Sequence, residues 1–308
     1  MGGDAGGNSM ASGRPMPLII SRSPDARLMK PPTLATVLRA TERFAPRYDE
    51  WMRESHHPIA LEILRNYVAE GHSAGPIAEL GCGTGVLSAN LMVSMSAEVL
   101  STQDSLLQVP KLPLKFILLD MSEVMLGLAR ANVRNAMQRL IESMPFVSPG
   151  IHPASLHIVD SDDGRKMQLM VRELELLRVR FECRDAKDLR EVEDGGEVRT
   201  AILSYVMHWI RGSDEKCNVA SMLFNTLPPG GRLISIEESP LVVRTDLHPD
   251  DNEVQKLARL IRIAVTVLQI PEISSIFQLT GFHYVPATLM RKRIDEYHDM
   301  YGMVFHKD

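Results

Sequence analysis

The sequence predicts an α/β protein built on a doubly wound parallel sheet, and three observations carry that expectation. The stretch Ile77-Ala78-Glu79-Leu80-Gly81-Cys82-Gly83-Thr84-Gly85-Val86-Leu87 reads as a strand end, a glycine turn and a helix start. Leu114-Lys115-Phe116-Ile117-Leu118-Leu119-Asp120 is a near-continuous apolar run ending in an acid, which suits a strand buried on both faces. Strand-like and helix-like segments then alternate as far as Glu238. At 308 residues and 44% hydrophobic, the chain can bury one large core with room for insertions.

The elements follow in chain order. Residues 1 to about 30, rich in Gly, Ser and Pro, are expected to form a flexible tail ahead of a single domain over 31–308. From 31 to about 68 the apolar spacing of Leu34, Val37, Leu38, Ile59, Ile63 and Leu64 predicts N-terminal helices. Gly75-Pro76 breaks the chain before the first strand, 77–80. A helix is expected over about 86–94, then a long connection over 96–113 containing Pro110 and Pro113. After the second strand, Ser122-Glu123 opens a helix running to about 142. Residues 143–164 read as an insertion, 165–177 as a short helix, and 178–183 as the third strand.

Further strands are expected at 200–205 and 232–238, with a helix between them over about 214–225. The segment 239–280 reads as a helical lid insertion, with helices near 252–268 and 272–279, the second ended by Gly281. Two last strands, 283–291 and 299–305, complete an antiparallel C-terminal hairpin.

Bulk chemistry narrows the function classes. The net charge is −5, from 34 basic and 39 acidic residues, which argues against a nucleic-acid partner and for a small-molecule one. Three cysteines, Cys82, Cys183 and Cys217, stand without metal-ligand spacing and suit a reducing, cytoplasmic setting. No apolar run reaches the roughly 18 residues of a membrane span, and no charged-then-apolar signal block opens the chain.

The glycine turn is not the dinucleotide fingerprint, because Val86 stands where the third glycine is needed. Its pattern, G-x-G-x-G behind Glu79, resembles the first motif of the class I S-adenosyl-L-methionine (SAM) methyltransferases of small-molecule type. The later landmarks fit the same resemblance in order: Asp120 after the second strand, Asp185 after the third, and Leu227-Pro228-Pro229-Gly230-Gly231 before the fifth. The resemblance covers about residues 40–306. It implies a Rossmann-like seven-stranded sheet and SAM as the cofactor. It also implies contacts from Glu79, Gly81, Cys82, Gly83 and Gly85 in the turn, Asp120 and Met121 at the ribose, Asp185 and Ala186 at the adenine, and Ser204 beyond the fourth strand. Tyr48, in Phe44-Ala45-Pro46-Arg47-Tyr48-Asp49-Glu50-Trp51, resembles a segment that caps the cofactor; Phe44, Tyr48 and Trp51 also read as the buried face of a helix.

Methyl transfer requires an aligned nucleophile, and a base only when the acceptor must lose a proton. His208 is the candidate base, since histidine titrates nearest neutral pH; the alternative is a packed or helix-capping histidine. The expected activity is methylation of a small organic acceptor at O, N or C. An RNA or protein methyltransferase, or a SAM-binding regulatory partner without turnover, is the competing reading. The Asp/Asn-Pro-Pro-aromatic and Pro-Cys signatures of base-methylating enzymes are absent. His248-Pro249-Asp250-Asp251, near Glu237-Glu238, offers metal-ligand chemistry but reads better as helix caps, so no metal is expected.

Overall fold

The computed structural model describes residues 56–69, 75–101, 112–147, 151–185, 197–210, 212–240, 270–294 and 298–308. It also describes Arg39, Glu42, Ala45, Asp49, Glu50, Met52 and Arg53. The expected tail, the caps at Phe44, Tyr48 and Trp51, the 252–268 helix and the His248–Asp251 cluster lie outside the described residues.

Ten strands form one sheet in the order β3-β4-β5-β2-β1-β6-β7-β10-β8, with β9 also on β10. Its parallel centre is β5 (Leu174–Cys183), β2 (Leu114–Asp120), β1 (Ile77–Leu80), β6 (Thr200–Ser204) and β7 (Arg232–Pro240). Every residue of β1 and β6 is buried, as a strand covered on both faces requires. Helices α1 (His57–Ala69), α2 (Val86–Ser101) and α3 (Glu123–Val147) pack with one apolar cluster, which includes Ile63, Leu91, Met92, Leu118 and Val133. Helices α4 (Ser213–Thr226) and α5 (Ile270–Leu279) pack with a second cluster containing Val219, Leu223, Ile273, Phe277 and Phe305. The fold is therefore the expected Rossmann-like doubly wound sheet.

Its C-terminal edge is antiparallel, as expected. β10 (His298–His306) runs against β7 and carries β8 (His283–Tyr284) and β9 (Met290–Arg293) on its other side. Gly281, at φ +105°, closes α5, with the Phe282 N–H returning to the Phe277 carbonyl.

Three expectations are corrected. The helix expected over 165–177 is a β-hairpin, β4 (Lys166–Val171) leading into the early start of β5. Gln, Met, Leu and Glu are good helix formers, but Met167, Leu169 and Val171 alternate inward with period two, and pairing with β5 decides the outcome. The supposed insertion before it supplies β3 (Leu156–Asp160), which pairs antiparallel with β4. Seven strands thus become ten: β3 and β4 extend one edge, and the other edge strand is broken into β8 and β9. Finally, α2 reaches Ser101, so the first six residues of the expected 96–113 connection are helical.

Candidate functional site

The sheet changes winding direction between β1 and β6. From β1 the chain passes to β2, goes out to β3 at the sheet edge, comes inward through β4 to β5 beside β2, and then crosses to β6 on the other side of β1. Ligands of such sheets bind at the carboxyl ends of the strands beside this switch. The glycine turn lies there, with Gly81, Gly83 and Gly85 all at positive φ (+67°, +54° and +67°).

The three glycines do different things. A Cβ at Gly81 would stand 2.7 Å from the Val206 side chain, and one at Gly85 2.8 Å from the Ala129 Cβ, so close packing excludes them. At Gly83 a Cβ would meet nothing within 4 Å among the described residues. The first and third glycines let the turn pack on its neighbours; the middle one presents bare backbone that no described residue covers.

Asp120 ends β2 beside that turn. Its Oδ2 accepts the Gly83 N–H at 2.8 Å and its Oδ1 accepts the Ser122 N–H at 2.9 Å. Burial raises its pKa, the backbone N–H groups of Ser122, Gly83 and Met121 pull it back, and the Glu42 charge raises it further. Met121, directly after it, is 41% exposed, an accessible apolar surface at the same strand end. Cys183, the register partner of Asp120 on β5, directs its thiol to the Met121 carbonyl at 3.5 Å. Asp185 stands half-buried just beyond β5, while Ala186 lies outside the described residues.

Glu79 is only 3% exposed and accepts a hydrogen bond from the Ser88 hydroxyl, tying β1 to the first turn of α2 across the glycines. Burial raises its pKa to about 7. Cys82 is buried and anchored through its N–H to the Leu119 carbonyl at 2.9 Å; its side chain is a packing group. Ser204 is buried at the end of β6, and Tyr205 after it holds φ +59°, a strained conformation at the expected ligand position.

His208 has a specific partner. Its Nδ1 lies 2.6 Å from Glu237 Oε2, and the other carboxylate oxygen accepts the Met207 N–H at 2.8 Å. Glu237 is 0% exposed, so its orientation is fixed. Donation from Nδ1 to this carboxylate leaves the lone pair on Nε2 of a partly exposed ring. The sequence offered Glu237 only as a metal candidate; the fold pairs it with a histidine 29 positions away. Among the described residues no three His, Cys, Asp or Glu side chains gather into a metal site.

The N-terminal segment supplies residues that sequence reasoning passed over. Asp49, beside the quoted Tyr48, is buried and accepts the Thr84 hydroxyl and, at 3.4 Å, the Asn132 amide; that amide also donates to the Thr84 carbonyl at 2.9 Å. Glu42 accepts the Ser122 hydroxyl at 2.5 Å, and His56 Nε2 meets Glu238 Oε1 at 3.0 Å. Glu42, Asp49 and His56 thus fasten this segment to the turn after β1, to the end of β2 and to Glu238 on β7. No periodicity marks these residues, because each partner is distant in sequence.

No family model and no curated protein matches the chain. Among solved structures it is similar to the N-methyltransferase NodS from Bradyrhizobium japonicum in complex with S-adenosyl-L-homocysteine (SAH), at 11% identity over 83% of this chain and 90% of that one, TM-score 0.47. A SAM-dependent methyltransferase from Methanosarcina mazei shares 13% identity over 76% and 92% of the two chains, TM-score 0.44. The magnesium protoporphyrin IX methyltransferase from Synechocystis, with bound SAH, shares 15% over 82% and 84%, TM-score 0.43. In its own strand order, glycine turn and antiparallel edge, the chain carries the Rossmann-like fold that its resemblance to class I SAM methyltransferases implied.

Proposed function

We propose that this chain is a SAM-dependent methyltransferase acting on a small organic acceptor. One observation carries the reading: the open backbone face of Gly83 stands beside a strand-end carboxylate, Asp120, at the switch point of the sheet. The residues fit the group. A nucleoside needs close backbone approach, a carboxylate with acceptor capacity for ribose hydroxyls, and an apolar surface for its base; Gly83, Asp120 and Met121 offer these together. Glu79, Gly81 and Gly85 hold the turn in shape; Ser204 ends β6 beside β1, and Asp185 follows β5 beside β2. When bound, SAM supplies an electrophilic methyl group on a sulfonium.

This chain's own residues then have two tasks. The Asp49–Thr84–Asn132 and Glu42–Ser122 contacts hold the N-terminal segment against the turn, which excludes water from the strand ends. His208, oriented by Glu237, takes the proton of an acceptor hydroxyl at Nε2, while an amine acceptor would need no such group. A cytoplasmic setting goes with this reading, supported by three free thiols. Among the described residues no helix is long and apolar enough to cross a membrane.

Calorimetric titration with SAM and with SAH, beside Asp120→Ala, tests the proposal. Wild type is expected to bind both, and the substitution to weaken binding about tenfold or more, the ~1.5 kcal/mol of a hydrogen bond to a charged group. Absence of binding by correctly folded wild-type protein overturns the cofactor assignment.

A further inference from the structure

Two buried acids on one face of the sheet each hold basic side chains near its carboxyl end. Residues directly opposite in a strand pair share a face, and diagonal ones stand about 7–8 Å apart. Glu237 on β7 is opposite Tyr301 on β10, and Ser239 is opposite Asp299, so Glu237 and Asp299 are diagonal neighbours on one face. The rows continue onto β9, where Arg291 is opposite Tyr301 and Arg293 is opposite Asp299. Glu237 is the acid that orients His208. Lys292, between the two arginines, belongs to the other face and pairs there with Glu62 of α1 at 2.8 Å.

Asp299 does for the arginines what Glu237 does for the histidine. It is 3% exposed, and its Oδ2 accepts from Arg291, with Nε at 2.6 Å and Nη2 at 2.5 Å. Arg293 Nε stands 2.6 Å from Oδ1, an ion pair without the alignment of a hydrogen bond, so this fork is the more loosely held. The two arginine side chains are 53% and 59% exposed. Among the described residues neither guanidinium reaches a second carboxylate. One acid therefore faces two cations, and one positive charge is left over beside the strand ends.

We propose that Arg291 and Arg293 bind a carboxylate on the acceptor, which makes that acceptor a small hydroxy acid. A guanidinium matches a planar carboxylate through paired N–H groups, and the two arginines keep nitrogens that Asp299 does not use. A single surplus charge suits a monoanion. The spacing of Glu237 and Asp299, about 7–8 Å, is close to the span of one aromatic ring bearing a hydroxyl and a carboxylate at opposite ends. Held by its carboxylate at the arginines, such a ring presents its hydroxyl to His208 Nε2. An ionic hold on a remote group aligns the reacting oxygen. The inference deepens the proposed function and rests on its reading of His208 as the acceptor-facing base.

The experiment is calorimetric titration of ligand-free protein with matched probes: para-hydroxybenzoate, meta-hydroxybenzoate and para-hydroxyphenylacetate, each beside its neutral amide. Wild type is expected to bind at least one acid about tenfold or more tighter than its amide, as hydrogen bonds between charged groups allow. Arg293→Gln, which leaves Arg291 on Asp299, reduces that preference about tenfold, and Lys292→Gln, the same charge change on the other face, leaves it intact. The proposal is overturned if no acid binds better than its amide, if folded Arg293→Gln keeps the preference, or if Lys292→Gln loses as much. Should Arg293→Gln fail to fold, Arg293→Lys keeps the charge without the fork, and an undiminished preference there is equally fatal. A parallel titration with SAH separates the two readings. SAH binding without acid preference strikes this inference alone, whereas acid preference without SAH binding strikes the cofactor assignment and leaves the arginine site standing.

Discussion

Gly83→Ala and Gly85→Ala should fail in different ways, although both remove a glycine from the same turn. Both positions hold positive φ, +54° and +67°, which costs an L-residue about 1–2 kcal/mol. At Gly83 that is the whole structural cost, since the new methyl meets no atom of the described residues within 4 Å. At Gly85 the methyl stands 2.8 Å from the Ala129 Cβ and 3.1 Å from its Cα, and a helix backbone cannot step aside cheaply. Overpacking adds about 1–3 kcal/mol, so Gly85→Ala is expected to lose ~2–5 kcal/mol in all. Urea unfolding reads these losses, and calorimetric titration with SAH reads the other half of the argument. Gly83→Ala keeps most of its stability but places a methyl on the face offered to the ligand, so SAH affinity falls at least tenfold, about 1.4 kcal/mol. If Gly83→Ala binds SAH like wild type, the open face is not the ligand face. If it unfolds as easily as Gly85→Ala, the assignment of separate roles is wrong.

Three further outcomes follow from the same geometry. The Glu79 carboxyl ionises near 7 when folded against an ordinary 4.5, so between these values the folded state holds a proton that the unfolded chain has released. Its stabilising contribution is full below about 4.5 and declines by about 1.4 kcal/mol per pH unit as pH rises toward 7, a decline that Glu79→Gln should flatten in denaturation curves. His57 behaves in the opposite sense: burial holds it near 4 against 6.5, with its Nδ1 buried and without a hydrogen-bond partner among the described residues, so its contribution is full above 6.5 and lost as pH falls through 4. Thermal melts of His57→Leu should accordingly show less acid sensitivity between those values. Asp49→Ala strands the buried Thr84 hydroxyl and should cost about 1–3 kcal/mol by urea unfolding, with faster SAH dissociation in stopped flow; unchanged dissociation would show that the N-terminal segment does not retain the ligand.

Legibility divides along the range of the interactions. Strands β1 and β2 fall on the expected residues, because a buried parallel strand is a local apolar run and a glycine turn is dictated by local φ. Asp120 was legible for the same reason: an acid closing such a run must sit at the strand's carboxyl end. The 165–177 segment was misread because local propensity and period-two burial disagree there, and the pairing of Met167 with Val179 and Leu169 with Leu177 decides it. Glu237 and Asp49 carried no local mark of their roles.

The sequence by itself determined the strands β1 and β2, the turn between β1 and its helix and the acid that closes β2, since each follows from neighbours a few residues apart. Only the tertiary structure decided which glycines are packed against Val206 and Ala129, that β3 and β4 extend the sheet, and that Glu237 pairs with His208. Those outcomes depend on contacts between residues far apart in the chain, where partners are chosen by packing and by the need to match every buried charge.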